Sequence, residues 1–168
     1  MRKKQVVVIG SSDDTQNLGA AYSIGKFIAQ KGWVLISGGR GGVMEAASRG
    51  AAEHGGTVIG ILPGEELERS NKYCTIVIPT GIGYARNVIN VLSADALVAV
   101  GGKAGTLSEL AYAWIYGKPV ICCAFAPGWS AQFPAIRVDD REGGAVLTAR
   151  SVEEACRQLE ELFTRRGS

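Results

Sequence analysis

Glycines are concentrated where the apolar runs of this chain end. The first dense cluster is the segment 37–45, SGGRGGVME. Glycine permits positive φ and leaves backbone N–H groups unshielded. Where such a turn opens a helix, the free N–H groups and the positive end of the helix dipole suit a phosphate. The alternative is a tight strand-to-helix turn without any ligand. The predicted ligand-binding residues of this segment are Gly38, Gly39, Gly41, Gly42 and Met44.

The segment 100–109, VGGKAGTLSE, repeats this device and adds a hydroxyl and a carboxylate. It predicts a second anion site, where a lysine could neutralise phosphate charge or simply be solvated. The Thr-x-x-Glu spacing is equally typical of a capping box with Thr106 as N-cap and Glu109 at N3, which needs no chemistry. Neither segment matches the P-loop or the G-x-G-x-x-G fingerprint, so ATPase and NAD-dehydrogenase functions are disfavoured. The predicted ligand-binding residues are Gly102, Lys103, Gly105 and Thr106.

An arginine stands out in the segment 79–87, PTGIGYARN. Arg86 falls near the start of an otherwise apolar helical stretch, where a cation is poorly placed for the helix dipole. A guanidinium there could bind a phosphate through two parallel hydrogen bonds. A surface or ion-paired arginine is the alternative.

A fourth polar segment, 10–14 or GSSDD, follows the first apolar run. Loops at the carboxyl ends of parallel strands are where doubly wound folds bind ligands. The two serines could donate to a phosphate or a sugar hydroxyl, and the two aspartates suit a sugar hydroxyl or a helix cap. Gly10 and Ser11 are the predicted ligand-binding residues.

The elements that must position these residues alternate along the chain. Short apolar runs rich in Val and Ile are typical of strands covered on both faces, and longer helical stretches separate them. The βαβα rhythm predicts a single-domain α/β fold over residues 1–168, a doubly wound, Rossmann-like, mostly parallel sheet with helices on both faces. Residues 127–144 are predicted to form a loop or short insertion. The predicted strands are 5–9, 33–37, 57–62, 75–78, 96–100, 119–124 and 145–147, and the predicted helices are 18–31, 42–54, 83–93, 106–116 and 152–164.

Composition excludes several classes of protein. The 168 residues are 46% hydrophobic and 20% charged with a net charge of +2, so a general nucleic-acid binder is disfavoured. No apolar run approaches the ~20 residues that span a bilayer, and a cytoplasmic protein is expected. The cysteines form no C-x-x-C pair and there is one histidine, so no zinc site is expected. Cys122 and Cys123 lie in an apolar run and are expected to be core residues.

Three of these motifs together resemble a known family. The glycine run 38–45, the GGKAGTLSE run 101–109, and Arg86-Asn87 nine residues before Asp95 occur in the order and register found in the Rossmann-fold family long labelled "lysine decarboxylase-like", which includes the Lonely Guy enzymes. The chain looks most similar to the small bacterial branch that also resembles molybdenum-cofactor carrier proteins. The resemblance covers about residues 5–124.

The resemblance implies that Arg86 and Glu109 are the catalytic pair of a phosphoribohydrolase, which cleaves the N-glycosidic bond of a nucleoside 5′-monophosphate. Glu109 would stabilise the oxocarbenium-like sugar and orient water, and Arg86 would anchor the nucleotide. The family's motif proline is replaced by Gly101, its lysine after the arginine by Asn87, and the last glycine of its first signature by Glu45. These departures make phosphate binding a safer expectation than turnover.

Two functions therefore stay open. One is hydrolysis of a nucleoside monophosphate without a required metal or cofactor. The other is a non-catalytic carrier of a phosphorylated ligand such as molybdenum cofactor. Decarboxylation is not supported, since no lysine site for pyridoxal phosphate is recognisable. A small phosphorylated partner is expected, without nucleic acid or membrane, and the family resemblance suggests a homo-oligomer with the apolar stretch 88–92 as a possible interface.

Overall fold

The protein is described by a computed structural model that covers residues 1–165, so residues 166–168 of the predicted domain lie outside the described residues. Over that range the chain forms one parallel sheet of seven strands in the order β4-β3-β2-β1-β5-β6-β7. The strands are β1 (Gln5–Gly10), β2 (Val34–Ser37), β3 (Thr57–Leu62), β4 (Ile76–Pro79), β5 (Ala96–Val100), β6 (Val120–Cys123) and β7 (Val146–Ala149). The predicted doubly wound α/β fold is confirmed.

Helices cover both faces of the sheet. They are α1 (Leu18–Gln30), α2 (Gly42–Ala52), α3 (Arg86–Leu92), α4 (Ala104–Ile115), α5 (Trp129–Gln132) and α6 (Val152–Arg165). The core on one face is built with α1, α2 and α6, and the core on the other with α3, α4 and the segment around Phe133. Alternate residues of β1 enter the two cores, with Val6 and Val8 on one side and Val7 and Ile9 on the other.

Fully buried strands explain why the central apolar runs do not alternate with polar residues. Every residue of β2, β5 and β6 is buried, including Cys122 and Cys123, as predicted for core cysteines. The edge strand β4 differs because Ile76 and Ile78 are 46% and 44% exposed. Most predicted boundaries are correct to within one or two residues.

Two regions depart from the prediction. The stretch 83–93 is not one helix, because residues 83–85 form a 3₁₀ turn before α3. The stretch 127–144 is not only a loop, because it contains α5 and a 3₁₀ turn, Phe133–Ala135, whose Phe133 is buried. Gly128 enters α5 at φ 128°, a conformation that favours glycine.

The chain reverses its winding direction between β1 and β5. From β1 the sheet grows one way through β2 to β4, and the other way through β5 to β7. At such a switch point the loops after the two central strands separate and open a crevice at the carboxyl edge of the sheet. The loops that follow β1 and β5 are the segments 11–17 and 101–103, which carry two of the four predicted motifs.

Candidate functional site

A cleft of about 530 Å³ opens at this switch point. It is walled by the loops after β1 and β5, by the first turn of α4 and by the region around α3. Of the thirteen predicted site residues, eight are among the described residues that line it. These are Gly10, Ser11, Met44, Arg86, Lys103, Gly105, Thr106 and Glu109.

The first turn of α4 forms one wall of the cleft. The helix begins at Ala104 after an extended Lys103, two residues earlier than predicted, and no side chain within the described residues caps it. Thr106 therefore lies inside the first turn and Glu109 one turn further on, so the capping-box interpretation is wrong. The backbone N–H groups of the first turn have no partner inside the helix, which leaves them able to bind an anion.

Residues 127–130 hold the turn that leads into α4. The Ser130 hydroxyl accepts a hydrogen bond from Gly101 N at 2.7 Å and donates to Cys123 O at 2.8 Å. Trp129 N and Ser130 N donate to the carbonyls of Gly102 and Gly101. A Cβ at Gly128 would lie 2.7 Å from Gly102 O, so glycine permits this close approach. The segment that sequence alone left uninterpreted thus fixes the turn before α4 in place.

Arg86 is the first residue of α3, but its side chain turns into the protein. It is 8% exposed, and Nη1 donates to the backbone carbonyls of Gly38 and Ile61, at the ends of β2 and β3. The alternative of a surface arginine is therefore wrong, and within residues 1–165 Arg86 forms no ion pair within 4.0 Å. Burial lowers the pKa of the guanidinium, an effect that the nearby charge of Glu109 opposes.

Glu109 lies on α4 opposite Arg86 and is also 8% exposed. Burial raises the pKa of its carboxyl group from the ordinary 4.5 to about 8, although the charge of Arg86 and a hydrogen bond from the Asn90 side chain both lower it. Burial therefore favours the protonated, neutral form of the carboxyl group. A carboxyl whose pKa lies near the working pH can exchange a proton during a reaction.

The first glycine turn contributes less to the cleft than its sequence predicted. β2 and β5 are not neighbours, because β1 lies between them, so the two glycine turns do not follow adjacent strands. Arg40 and Met44 reach the cleft from this side. Five predicted ligand-binding glycines are not among the described residues that line it, and their contact with a ligand stays a prediction. They are Gly38, Gly39, Gly41, Gly42 and Gly102.

Close packing accounts for several of these glycines. A Cβ at Gly38 would lie 2.6 Å from Arg86 Nη1, and one at Gly42 would lie 2.2 Å from Ser11 O. A Cβ at Gly102 would lie 2.3 Å from Thr106 Oγ1. By contrast, a Cβ at Gly105 would meet nothing closer than 3.9 Å, so this glycine borders open space in the cleft.

An ion pair crosses the mouth of the cleft. Lys103 Nζ lies 2.5 Å from Asp13 Oδ2, and both side chains are mostly exposed. The Ser11 hydroxyl donates to the other oxygen of the same carboxylate. These contacts join the loops after β1 and β5 and give Lys103 an acidic partner.

Among the residues that the sequence prediction missed are Tyr84 and Arg40, which line the cleft, and Asn90, which contacts Glu109. Asn90 is 1% exposed and hydrogen-bonds to Glu109. Its signal was available, since it is polar in an apolar stretch and four residues after Arg86, a spacing that places both on one helix face. Tyr84 and Arg40 line the cleft but lie in segments that read as turns.

Two further observations concern metals and membranes. Within residues 1–165, no group of three or more His, Cys, Asp or Glu side chains is arranged to hold a metal ion. Over the same residues, no helix combines the length and apolar character needed to cross a bilayer.

The chain is similar to known proteins in sequence and in fold. A cytokinin riboside 5′-monophosphate phosphoribohydrolase from Mycobacterium marinum is 31% identical over 100 residues, which is 58% of this chain and 54% of that enzyme. The chain thus spans about half the length of that relative. The structure of a molybdenum cofactor binding protein from Rippkaea orientalis superposes with a TM-score of 0.88 at 39% identity, covering 97% of this chain and 99% of that one.

The molybdenum cofactor carrier protein of Chlamydomonas reinhardtii superposes with a TM-score of 0.85, also at 39% identity and with 97% and 99% of the two chains covered. The model of the SLOG cluster4 family matches residues 3–156, which includes every element from β1 to β7 and the whole cleft. The chain therefore belongs to the SLOG cluster4 family.

Proposed function

We propose that the protein binds a nucleoside 5′-monophosphate in the cleft and hydrolyses its N-glycosidic bond. The observation that carries this proposal is the pair of buried ionisable groups, Arg86 and Glu109, on the floor of a cleft whose wall is the open first turn of α4. Burying such groups is costly, and perturbed pKa values in a cleft are typical of functional sites. The similarity to the M. marinum phosphoribohydrolase supports the same reaction.

The phosphate is proposed to lie over the N-terminus of α4. The backbone amides of Gly105 and Thr106 and the Thr106 hydroxyl would donate to it, and the helix dipole would favour its charge. The open space beside Gly105 supports this placement, because a phosphate oxygen can approach the backbone there. Lys103 would exchange its exposed pairing with Asp13 for the phosphate.

The chemistry follows from the charge that develops on the sugar. As the bond between C1′ and the base nitrogen lengthens, positive charge builds on the sugar ring, and a carboxylate nearby stabilises it. Glu109 in its ionised form is proposed to supply that charge and to orient the water. Arg86, held by the carbonyls of Gly38 and Ile61, would anchor the nucleotide beside it.

The test is incubation with a panel of purine and pyrimidine nucleoside monophosphates, followed by quantification of free base and ribose 5-phosphate. Wild-type protein should release both in equal amounts. Glu109→Gln should reduce release about 10²–10³-fold while the thermal unfolding curve shows an intact fold. Arg157→Ala, on the exposed side of α6, is the matched control and should keep wild-type rates. Absence of release across the panel, under conditions where a known phosphoribohydrolase works, would refute hydrolysis.

A carrier of a phosphorylated cofactor is the second candidate. The full-length similarity to the R. orientalis molybdenum cofactor binding protein favours it, because the match covers 99% of that chain. This function predicts saturable binding of a phosphorylated ligand, measured by titration or by mass spectrometry of the purified protein, without any change in the ligand. Release of base from a bound nucleotide would count against it.

We further propose that the reaction needs no metal or organic cofactor, that the protein is cytoplasmic, and that it works as a homo-oligomer. An exposed apolar surface on the α3 and α4 side of the sheet supports the proposed homo-oligomer. Light scattering should give at least twice the chain mass, and EDTA should leave the rate of base release unchanged. The large exposed side chains of this surface are Ile76, Ile78, Ile82, Tyr84, Leu92, Ile115 and Tyr116.

A further inference from the structure

Arg86 and Glu109, which line the cleft, and Asn90, which hydrogen-bonds to Glu109, each carry one buried polar atom that lacks a hydrogen-bond partner within the part of the chain that the structure describes. These atoms are Arg86 Nε, Asn90 Oδ1 and Glu109 Oε2. Buried polar groups are nearly always paired, and leaving one unpaired costs about 1–3 kcal/mol. Three such atoms in one place therefore point to a group that binds between them.

The three side chains belong to one cluster. Arg86 and Asn90 are four residues apart on α3 and share a helix face. The Asn90 amide hydrogen-bonds to the Glu109 carboxyl group, and the charge of Arg86 acts on the same group. Yet Arg86 and Glu109 form no ion pair with an N···O distance of 4.0 Å or less within residues 1–165. The guanidinium nitrogens and the carboxyl oxygens are therefore more than 4.0 Å apart, too far for direct contact, which is consistent with a group between them.

The hydrogen-bonding capacities of the three atoms identify that group. Arg86 Nε–H can only donate and Asn90 Oδ1 can only accept, because the Asn90 NH₂ group is the donor toward Glu109. Glu109 Oε2 accepts when ionised and can donate when protonated. A water molecule has two donors and two acceptor sites, so it satisfies all three atoms in either protonation state. A phosphate oxygen has no proton to give Asn90 Oδ1.

We propose that Arg86, Asn90 and Glu109 together hold one water molecule, and that this is the water that attacks C1′ in the proposed reaction. The assignment of the water as nucleophile rests on the proposed function. The water oxygen forms the bond to C1′ and one of its protons passes to the Glu109 carboxylate. The base leaves with the electron pair of the C1′–N bond and takes up a proton from solvent, to which Glu109 returns its own. By accepting a hydrogen bond from the water, Asn90 Oδ1 fixes the direction in which a lone pair of the water oxygen points.

Asn90→Leu tests this role, because leucine keeps a similar volume and removes both hydrogen bonds. The variant should lose about 10–100-fold in kcat with KM changed by less than about twofold, since it misplaces the water and not the nucleotide. Ser93→Ala, at the end of α3 and outside the cleft lining, is the control and should match wild type. If Asn90→Leu fails to fold, Asn90→Ser takes its place with the same expectation. Wild-type kcat, or a loss confined to KM, would overturn the proposal.

A crystal structure at about 1.5 Å tests the water site without any nucleotide. One solvent molecule should lie within about 3.2 Å of Arg86 Nε, Asn90 Oδ1 and Glu109 Oε2. Its presence in a protein that hydrolyses no nucleotide would uphold the water site and refute only the proposed reaction. Ordered side chains with no solvent molecule between them, in a protein that does hydrolyse nucleotides, would refute the water site alone.

Discussion

The two glycine turns look alike in sequence and differ in what surrounds them. In the turn after β2, a side chain at Gly38 or Gly42 would collide with Arg86 or with the backbone of Ser11. In the turn after β5, a side chain at Gly102 would collide with Thr106, whereas a Cβ at Gly105, in the first turn of α4, would meet no atom closer than 3.9 Å at the wall of the cleft. The same residue type therefore serves close packing at Gly38, Gly42 and Gly102, and access to the cleft at Gly105. A glycine motif predicts a tight turn, and only its neighbours show whether a ligand can reach it.

The largest expected effect of a single substitution lies in the first turn. Gly42→Ala places a Cβ 2.2 Å from Ser11 O at φ 57°, so we expect a loss of about 3 kcal/mol or more in the free energy of unfolding. Denaturant unfolding measures it. Gly32→Ala is the matched control, since Gly32 has φ 70° with nothing within 4 Å of its Cβ position, and it should cost only about 1 kcal/mol. Equal losses in the two variants would show that crowding does not define the first turn.

The buried carboxyl group of Glu109 should make the rate of base release depend on pH. Because burial raises the pKa of Glu109 to about 8, the free protein holds the inactive, protonated form below that pH. We expect kcat/KM for base release to rise about tenfold per pH unit up to roughly pH 8 and then level off. A profile that falls over this range would mean that the protonated acid is the active form.

The same carboxyl group should also affect stability. Between its unfolded value near 4.5 and its folded value near 8, the folded protein binds more protons than the unfolded chain, so stability falls as the pH rises through this window. The total decline should be roughly 2–5 kcal/mol. Denaturant unfolding of Glu109→Gln across this range should lack that contribution. An identical pH dependence in variant and wild type would show that the carboxyl group is not buried as the structure places it.

In the first turn of α4, the variant Gly105→Val should separate an effect on ligand binding from an effect on folding. Gly105 lies in α4 at a φ that other residues can adopt, and a Cβ there would meet no atom closer than 3.9 Å, so the free energy of unfolding should change by no more than about 1 kcal/mol. The side chain would block the phosphate, and affinity for a nucleoside monophosphate should fall about 10–100-fold by titration calorimetry. Gly19→Val is the control, because Gly19 is likewise the second residue of its helix with open surroundings. Unchanged affinity in a folded Gly105→Val would place the phosphate elsewhere.

The smallest expected effect concerns the cation of the second turn. The Lys103–Asp13 ion pair is exposed on both sides, so Lys103→Ala should change stability by less than about 1 kcal/mol. Affinity for a nucleoside monophosphate should drop a few-fold, and less at high salt, because exposed charges are screened. Lys72→Ala, outside the cleft lining, is the control. A hundred-fold loss in Lys103→Ala would mean that the lysine, and not the helix N-terminus, holds the phosphate.

The sequence predicted the sheet well because strands buried on both faces leave an unbroken apolar signal. The runs that became β1, β5 and β6 needed no tertiary information. The first residue of α4 was harder to predict, because the sequence around Gly105 is typical of a turn although Gly105 has ordinary helical geometry. That error of two residues made Thr106 look like a helix cap and gave Glu109 a false structural explanation.

Contacts between distant segments could not be predicted from local patterns. The orientation of Arg86 depends on carbonyls at the ends of β2 and β3, which no spacing along α3 reveals. The role of Ser130 depends on the approach of residues 127–130 to the turn after β5. Both are properties of how strands are ordered in the sheet, which a single sequence did not specify.

The most direct measurement is a crystal structure of the protein soaked with ribose 5-phosphate, the sugar product of the proposed reaction. The phosphate should lie at the N-terminus of α4, within hydrogen-bond distance of Gly105 N and Thr106 N, with C1′ facing Glu109. A phosphate bound instead at the turn after β2, or density for the sugar outside the cleft, would contradict the distinction between the two turns and the function built on it.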